Sequence, residues 1–427
     1  MRKFLLSFLY VICISVFAFF QAHSDETNDH ATDTEHAEDH SHGHGNECGY
    51  FEEDVFNPGK VAFHHISDQN IYSIGPWHIP LPCIMYVQGK GLEMFSSSVF
   101  KADYHGTGEY AYNGWVIYEG SVRRIVDQDF PKGEVLLGQH KVYPVVTEVN
   151  GKDKDIVHVC FEGKAWAADS KSYADGGLFG GGMSSFMDFS ITKNVVSMLL
   201  VFIFLAWALI GTARAYSKRE GMAPKGVQSF FESIFVFIQD EVAKPFLGPK
   251  WEKYLPFIMS LFFFVLGLNL FGQIPFFGGS NVTGNLSFTL IIALLAFIVT
   301  TINGNKHYWE HVFWMPGIPA WVKVVVTPVE FLGIFIKPLT LTLRLFGNIT
   351  AGHMVIIIFV GLIFIFGENG ANAGAAIGTS IGSILLTIFM MAIELLVAFI
   401  QAFVFAILTA SYIGAAIEDH HHAEEAH

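Results

Sequence analysis

The chain changes character near residue 190. Before that point polar and apolar residues are mixed; after it, long apolar runs are separated by short polar joints. A helix needs about 20 apolar residues to cross a ~30 Å hydrocarbon core. Residues 191–211, 254–277 and 286–302 satisfy that requirement and are expected to be three spans. Between the first two, Val227, Phe230, Phe231, Ile234, Phe235, Ile238 and Val242 recur at three- and four-residue steps, and Gln228, Glu232, Gln239 and Glu241 take the other face. This pattern predicts an amphipathic helix, bounded by Pro224 and Pro245, lying on the membrane surface or against neighbouring spans.

The two remaining apolar segments, 320–366 and 373–417, are joined by Gly367, Glu368, Asn369 and Gly370. At ~1.5 Å per residue each would reach about 65 Å, roughly twice the hydrocarbon thickness. Each is therefore expected to be broken, to run beyond the bilayer, or to tilt steeply. Pro328 and Pro338 are the positions for a kink in the first. The count is five spans.

The amino-terminal part reads differently. Residues 1–24 carry Arg2 and Lys3, an apolar run and a small-residue end, the pattern of an export signal. Residues 25–47 are acidic, lack Lys and Arg, and include His40, His42 and His44. Such a tract either binds metal ions or is a solvated acidic linker, and the linker is preferred. Residues 48–175 are expected to be a small β-rich domain, with strands at 109–118, 141–149 and 156–161. His64, His65 and His78 read as ordinary domain histidines. A glycine-rich linker, 176–190, leads to the membrane part at 191–417, and 418–427 is an acidic, His-rich tail. The fold class is thus an all-α polytopic membrane protein of five transmembrane spans plus one amphipathic interfacial helix. Its last two spans are long and strongly tilted as a hairpin, and a small β-rich exported domain precedes it.

Composition agrees: apolar residues make up 52% of the 427, charged ones 15%, and 42 are Phe. The net charge of −14 gathers at the termini. No basic patch with interleaved aromatics is present, which excludes a nucleic-acid partner. Arg214, Lys218, Arg219 and Lys225 follow the first span and place that side in the cytoplasm. With an odd number of spans the carboxyl terminus lies there too, and the β-rich domain lies outside. Cys13 falls in the signal. Cys48, Cys83 and Cys160 would meet an oxidising compartment, where one disulfide of unassigned pairing is expected and the third thiol either stays free or pairs elsewhere.

Arg344 stands inside the apolar run 338–355. Arginine keeps its charge in proteins, and intramembrane charges are costly and usually functional. At ~100° per residue Glu330, Lys337, Arg344 and Asn348 form one narrow stripe, with His353 near the opposite azimuth. Glu394 and Gln401 share a face of the second segment. Glu330 and Lys337 are expected to satisfy each other; Arg344 is left to act as a fixed barrier or partner beside the titratable His353 and Glu394.

These residues carry a resemblance. Lys337-Pro338-Leu339-Thr340-Leu341-Thr342-Leu343-Arg344-Leu345-Phe346-Gly347-Asn348, with Ala351-Gly352, resembles the signature of subunit a of F-type ATP synthases. So do Gln401-Ala402-Phe403-Val404-Phe405 with Leu408-Thr409 and Tyr412, and Leu268-Asn269-Leu270 with Pro275. The resemblance implies a stator delivering protons to a rotating c-ring, with Arg344 between two half-channels and Asn348, His353, Glu394 and Gln401 beside it. Glu330 and Lys337 would support this stripe. Many bacterial members carry Glu at the position of His353 and His at that of Glu394; the exchange implies that the two are neighbours. An acidic residue found in some members is replaced by Gly272. Implied partners are the c-ring, peripheral-stalk b subunits and the lipid bilayer; no cofactor or metal is implied. The chain has no phosphate loop, so it cannot make ATP alone. The competing reading is a cation transporter whose His-rich tract captures metal; it would call for repeats or ligand clusters within spans.

Overall fold

The computed structural model describes residues 48, 67–74, 77–103, 106–138, 141–149, 152–170, 185–274, 280–315, 319–368 and 371–418. The expected export signal, the tract 25–47, His64, His65, most of the glycine-rich linker and the tail beyond Glu418 lie outside the described residues.

The amino-terminal unit is built from β1 (Ile71–Ile74), β2 (Trp77–Pro80), β3 (Pro82–Val87), β4 (Gly91–Ser96), β5 (Tyr110–Tyr112) and β6 (Trp115–Tyr118). It continues with β7 (Ser121–Ile125), β8 (Glu134–Leu136), β9 (Val142–Val149), β10 (Lys152–Phe161), β11 (Lys164–Asp169) and β12 (Phe186–Asp188). A seven-stranded antiparallel sheet in the order β8-β5-β6-β7-β11-β10-β9 packs against a three-stranded one, β12-β3-β4. Cys83, Met85 and Val87 of the small sheet share a core with Trp115, Ile117 and Val122 of the large one. Trp115 sits edge-on to Phe186 and donates Nε1–H to Glu93 at 2.6 Å.

The aromatic run 109–118 is not one strand. Asn113 and Gly114 both take positive φ, folding it into the β5–β6 hairpin. An Asn-Gly pair favours a two-residue turn whose twist matches the strands. Cys48 and Cys160 form a disulfide with Cα atoms 5.5 Å apart, and Cys83 is a buried free thiol. Burial pushes that thiol well above its ordinary range, and nearby Asp188 adds to the effect.

The membrane part contains α1 (Lys193–Lys218), α2 (Val227–Ile238), α3 (Trp251–Gly272), α4 (Leu286–Ile302), α5 (Lys306–Trp314), α6 (Ala320–Phe366) and α7 (Ala373–Ile417). Helix α1 runs past the expected end at 211, so Arg214 and Lys218 lie on its last turns. Helix α5 was not foreseen; it bends from α4 by 104°. Helices α6 and α7 are unbroken despite Pro328 and Pro338. At 47 and 45 residues they outrun a ~30 Å core and must tilt or protrude.

Helix α2 continues through a π-helical turn, Gln239–Ala243, and a short helical turn, Lys244–Leu247, towards α3. The stretch is not one long span. The Phe231 and Phe263 rings lie 5.7 Å apart, whereas a straight helix would separate them by about 48 Å. The chain reverses at Gly248, whose φ is +52°. The amphipathic stripe packs inward as expected in part: Ile238 and Val242 are buried, and Phe231 and Ile234 are half-buried against the same core. Val227, Phe230, Val236 and Phe237 are exposed, whereas Gln228 is buried and Glu232 half-buried beside Tyr216 of α1. The helix thus carries apolar side chains on its outer side as well, while Gln228 and Glu232 turn towards protein, as polar groups do where the surroundings are lipid.

Helix α3 is apolar all round and lies at the centre, its residues from Phe257 to Leu266 all buried. Leu341, Leu345 and Ile349 of α6 and Ala402, Phe405, Ala406, Ala410 and Ile413 of α7 share its core. The end of α7 is held from outside: Asn305 N–H donates to Ala416 O, and Asn305 Nδ2 and Lys250 Nζ donate to Ile417 O. These donors satisfy carbonyls that a helix terminus leaves open.

Candidate functional site

Helices α6 and α7 run antiparallel, and their facing polar groups define the site. Nδ1 of His353 meets Oε1 of Glu394 in a short contact, with Glu394 only 5% exposed. Gly352 permits this approach: a Cβ there would stand 3.0 Å from Glu394 Oε1. The other ring nitrogen, Nε2, lies 3.3 Å from the carbonyl oxygen of Gly272 on α3.

That carbonyl can only accept a hydrogen bond, so this contact selects the tautomer with a hydrogen on Nε2. The contact between Nδ1 and Oε1 then holds a single proton. It sits either on a neutral carboxyl facing a neutral imidazole or on an imidazolium facing a carboxylate. Without it, two lone pairs would face each other. The contact thus joins α6 and α7 through one shared hydrogen.

Neighbours on α3 fix the carboxyl-bearing helix. Gln273 Nε2 donates to Glu394 O at 2.7 Å, and Asn269 Nδ2 donates to Ala398 O at 3.2 Å. The Oδ1 atom of Asn269 is buried without a protein partner, as an internal water would leave it. Gln273 was missed in the sequence because its role depends on the helix it faces. Gly272 supplies a main-chain acceptor to this site. A Cβ at this position would stand 2.8 Å from Ser280 O.

The stripe on α6 divides. Arg344 and Asn348 are exposed on the outer face among exposed Leu339, Leu343 and Phe335. His353 points the other way, into the bundle. Gln401 is buried, 6% exposed; since His353 is level with Glu394, equal rise puts Gln401 level with the Arg344–Asn348 turn. Among the described residues no carboxylate lies within ion-pair distance of Arg344.

Glu330 and Lys337 do not pair, contrary to the sequence expectation. Seven residues is two turns, about 10.5 Å along the axis. Lys337 Nζ instead lies 5.6 Å from the Tyr412 ring, and Glu330 lies within electrostatic reach of Tyr308. Lys337, Pro338, Leu341 and Tyr412 also border a small cleft with Tyr308 and Thr300. Tyr412 also feels the Arg344 charge. Among the described residues no group of three or more His, Cys, Asp or Glu side chains is gathered as a metal site requires.

Comparison with known proteins places this sequence in a family. Residues 195–414 fit the model described as ATP synthase A chain, and residues 61–143 fit a domain of unknown function, DUF8433. The chain is 36% identical to ATP synthase subunit a of Chloroherpeton thalassium, over 56% of this chain and 70% of the relative. It is 40% identical to ATP synthase subunit a 2 of Chlorobaculum tepidum, over 42% and 51%. It is 35% identical to ATP synthase subunit a of Myxococcus xanthus, over 62% and 85%. Matched by that family's model over half its length, the chain belongs to the ATP synthase subunit a family.

Proposed function

We propose that the chain is the proton-translocating stator subunit in the membrane sector of a rotary ATP synthase, presenting two aqueous half-channels to a ring of c subunits with Arg344 between them. The observation that supports this is the division of polar groups on α6: Arg344 and Asn348 face out, and His353 turns in to Glu394. A cation at mid-membrane costs about 2.5–3.5 kcal/mol by insertion scales, and more on an isolated helix. An anionic partner offsets that cost. A carboxylate on a neighbouring subunit supplies one and is itself kept ionised by the arginine.

Moving away from Arg344 into lipid, that carboxylate must be neutralised by a proton. Rotation is thereby tied to protonation. One charge crossing the membrane carries about 2.3 kcal/mol per 100 mV, so several must be summed to make ATP, which a ring accomplishes. The His353–Glu394 pair would pass protons between water and the ring on one side of Arg344, with Gln401 and Asn348 lining its approach. The subunit is non-catalytic; the complex makes ATP.

On this reading the β domain lies outside the cytoplasm and the end of α7 lies inside. Arg214, Lys218, Arg219 and Lys225 gather where α1 ends, and Lys250 and Asn305 reach the end of α7, so basic residues and the carboxyl terminus share a side. Residues 1–24 would direct export, and the peripheral-stalk b subunits would hold the stator. The test is co-purification of the tagged chain with a c-ring, together with ATP synthesis by reconstituted vesicles under an imposed proton gradient. A chain that purifies without a ring, from vesicles that still synthesise ATP, would overturn the reading.

A further inference from the structure

The β domain is not hung on the membrane part by a slack joint. Residues after β12 run alongside β3, with Phe189 N–H donating to Ile84 O at 2.8 Å and Ile191 N–H to Pro82 O at 3.2 Å. The Ile84 N–H returns a bond to Ser190 Oγ at 2.9 Å. At the start of α1 the domain supplies the helix cap. Asp68 Oδ1 accepts from Asn194 N–H at 3.0 Å, and Oδ2 accepts from Thr192 Oγ1–H at 2.8 Å. Thr192 is the cap residue, yet its own side chain makes no capping bond. A carboxylate 126 residues away in sequence does that work, with the favourable sign for a helix amino terminus.

The contacts continue inward. Asn194, fully buried, accepts through Oδ1 from Ser280 Oγ–H at 3.3 Å. Ser280 O occupies the space beside Gly272 where a Cβ would stand 2.8 Å from it, and the Gly272 carbonyl lies 3.3 Å from His353 Nε2. From the same turn, Asn281 Oδ1 accepts from Gly284 N–H, and Gly284 O accepts from Thr350 Oγ1–H at 3.4 Å, three residues before His353. Asn194, Ser280, Asn281, Thr283, Asn285 and Ser287 are all buried. A cluster of buried polar side chains at a membrane boundary costs free energy unless satisfied and used. The Nδ2 atoms of Asn194 and Asn281 have no protein partner, which leaves them for internal water.

We propose that Asp68 of the β domain is a positioning residue for the His353–Glu394 pair, acting through Asn194, Ser280 and the main chain of Gly272. The domain would thereby set the geometry in which the pair takes up its proton. This rests on the reading that the pair carries protons. The titratable groups that the described contacts put on this chain are Asp68 with Lys193 beside it at the outer end, and His353 with Glu394 at the inner end.

The test uses the complete synthase in vesicles, carrying Asp68→Ala, Asp68→Glu or Ser280→Ala. Three quantities are read: subunit co-purifying with the ring, proton flow through the membrane sector after its catalytic head is stripped, and the pH midpoint of that flow. Expected are normal assembly, flow lowered by about two- to thirtyfold in Asp68→Ala and Ser280→Ala, the range for removing a linking residue, and a displaced midpoint. Asp68→Glu should recover most of the flow. Flow that falls only in proportion to assembled subunit, with an unmoved midpoint, would make Asp68 a fold residue and overturn the proposal. Should Asp68→Ala not assemble, Ser280→Ala decides: it keeps the cap and removes one link, and wild-type flow and midpoint there also overturn it. An Arg344→Ala control separates the two ideas. If that variant still synthesises ATP, the proposed function fails; if it does not while the Asp68 and Ser280 variants behave as wild type, only this inference fails.

Discussion

Arg344 and His353 lie nine residues apart on one helix and face opposite ways, Arg344 outward on an apolar surface and His353 inward onto Glu394. The separation along the axis is about 13.5 Å. A partner that touches Arg344 therefore does not touch the His353–Glu394 pair through the same face of α6. On the proposed reading the two are successive stations, and each can be removed separately.

Arg344→Ala should leave the chain inserted and lower proton-driven ATP synthesis by about a hundredfold or more, the scale for losing a preorganised electrostatic group. Arg344→Lys retains a cation but not the planar fork and should fall between. Synthesis by inverted vesicles, normalised to inserted subunit, measures both. Coupled synthesis retained by the alanine variant would remove the charge from the mechanism.

His353→Glu and Glu394→His exchange the two partners of one contact. Each single change leaves like groups facing each other, two carboxyls or two imidazoles. The double variant restores an acid beside an imidazole and should retain more activity than the singles combined predict, by about 0.5–3 kcal/mol of coupling. Additive losses would mean that the pair does not act as a unit.

Gly414 packs its Cα against the turn that links α2 to α3. A Cβ there would come within 2.0 Å of Phe246 O, a main-chain atom with little room to yield. Gly414→Ala should destabilise the bundle by about 1–3 kcal/mol, read as a lower thermal transition in detergent. Gly378→Ala, where an added Cβ meets nothing within 4 Å, is the matched control and should match wild type.

The disulfide Cys48–Cys160 closes a loop of 112 residues. Removing it through Cys160→Ser should cost about 2–5 kcal/mol, seen as faster proteolysis of the β domain. Reductant should do the same to the wild-type chain. A variant as resistant as the oxidised wild type would show that the crosslink adds nothing to folding.

The facing of His353 away from Arg344 was legible because helical phase is a local property, fixed by counting residues. The boundaries of α4, α6 and α7 were legible for a similar reason: Asn285, Pro319 and Asn372 stop or start apolar runs directly. What escaped was set by distant chain. Nothing near Asp68 in sequence announces that it caps α1, and nothing near Gln273 announces the carbonyl of Glu394. Helix α2 was legible in its period, with Phe231, Ile234, Ile238 and Val242 packed inward, but the inward turn of Gln228 depends on Tyr216 of α1 and could not be read locally. The Asn113-Gly114 turn was visible in principle and was overridden by the aromatic run around it.

The packing of α7 has a mechanical consequence. Its buried positions lie mostly from Glu394 onward, and its last carbonyls are pinned by Asn305 and Lys250; towards Ala373 it is largely exposed. The α6–α7 hairpin is thus a beam clamped at one end with an overhanging tip. Arg344, level with the residues just past Gln401, sits on the clamped portion. On the proposed reading, a sideways push delivered there by a turning ring meets a braced support, while the tip beyond His353 can bend without carrying the arginine with it.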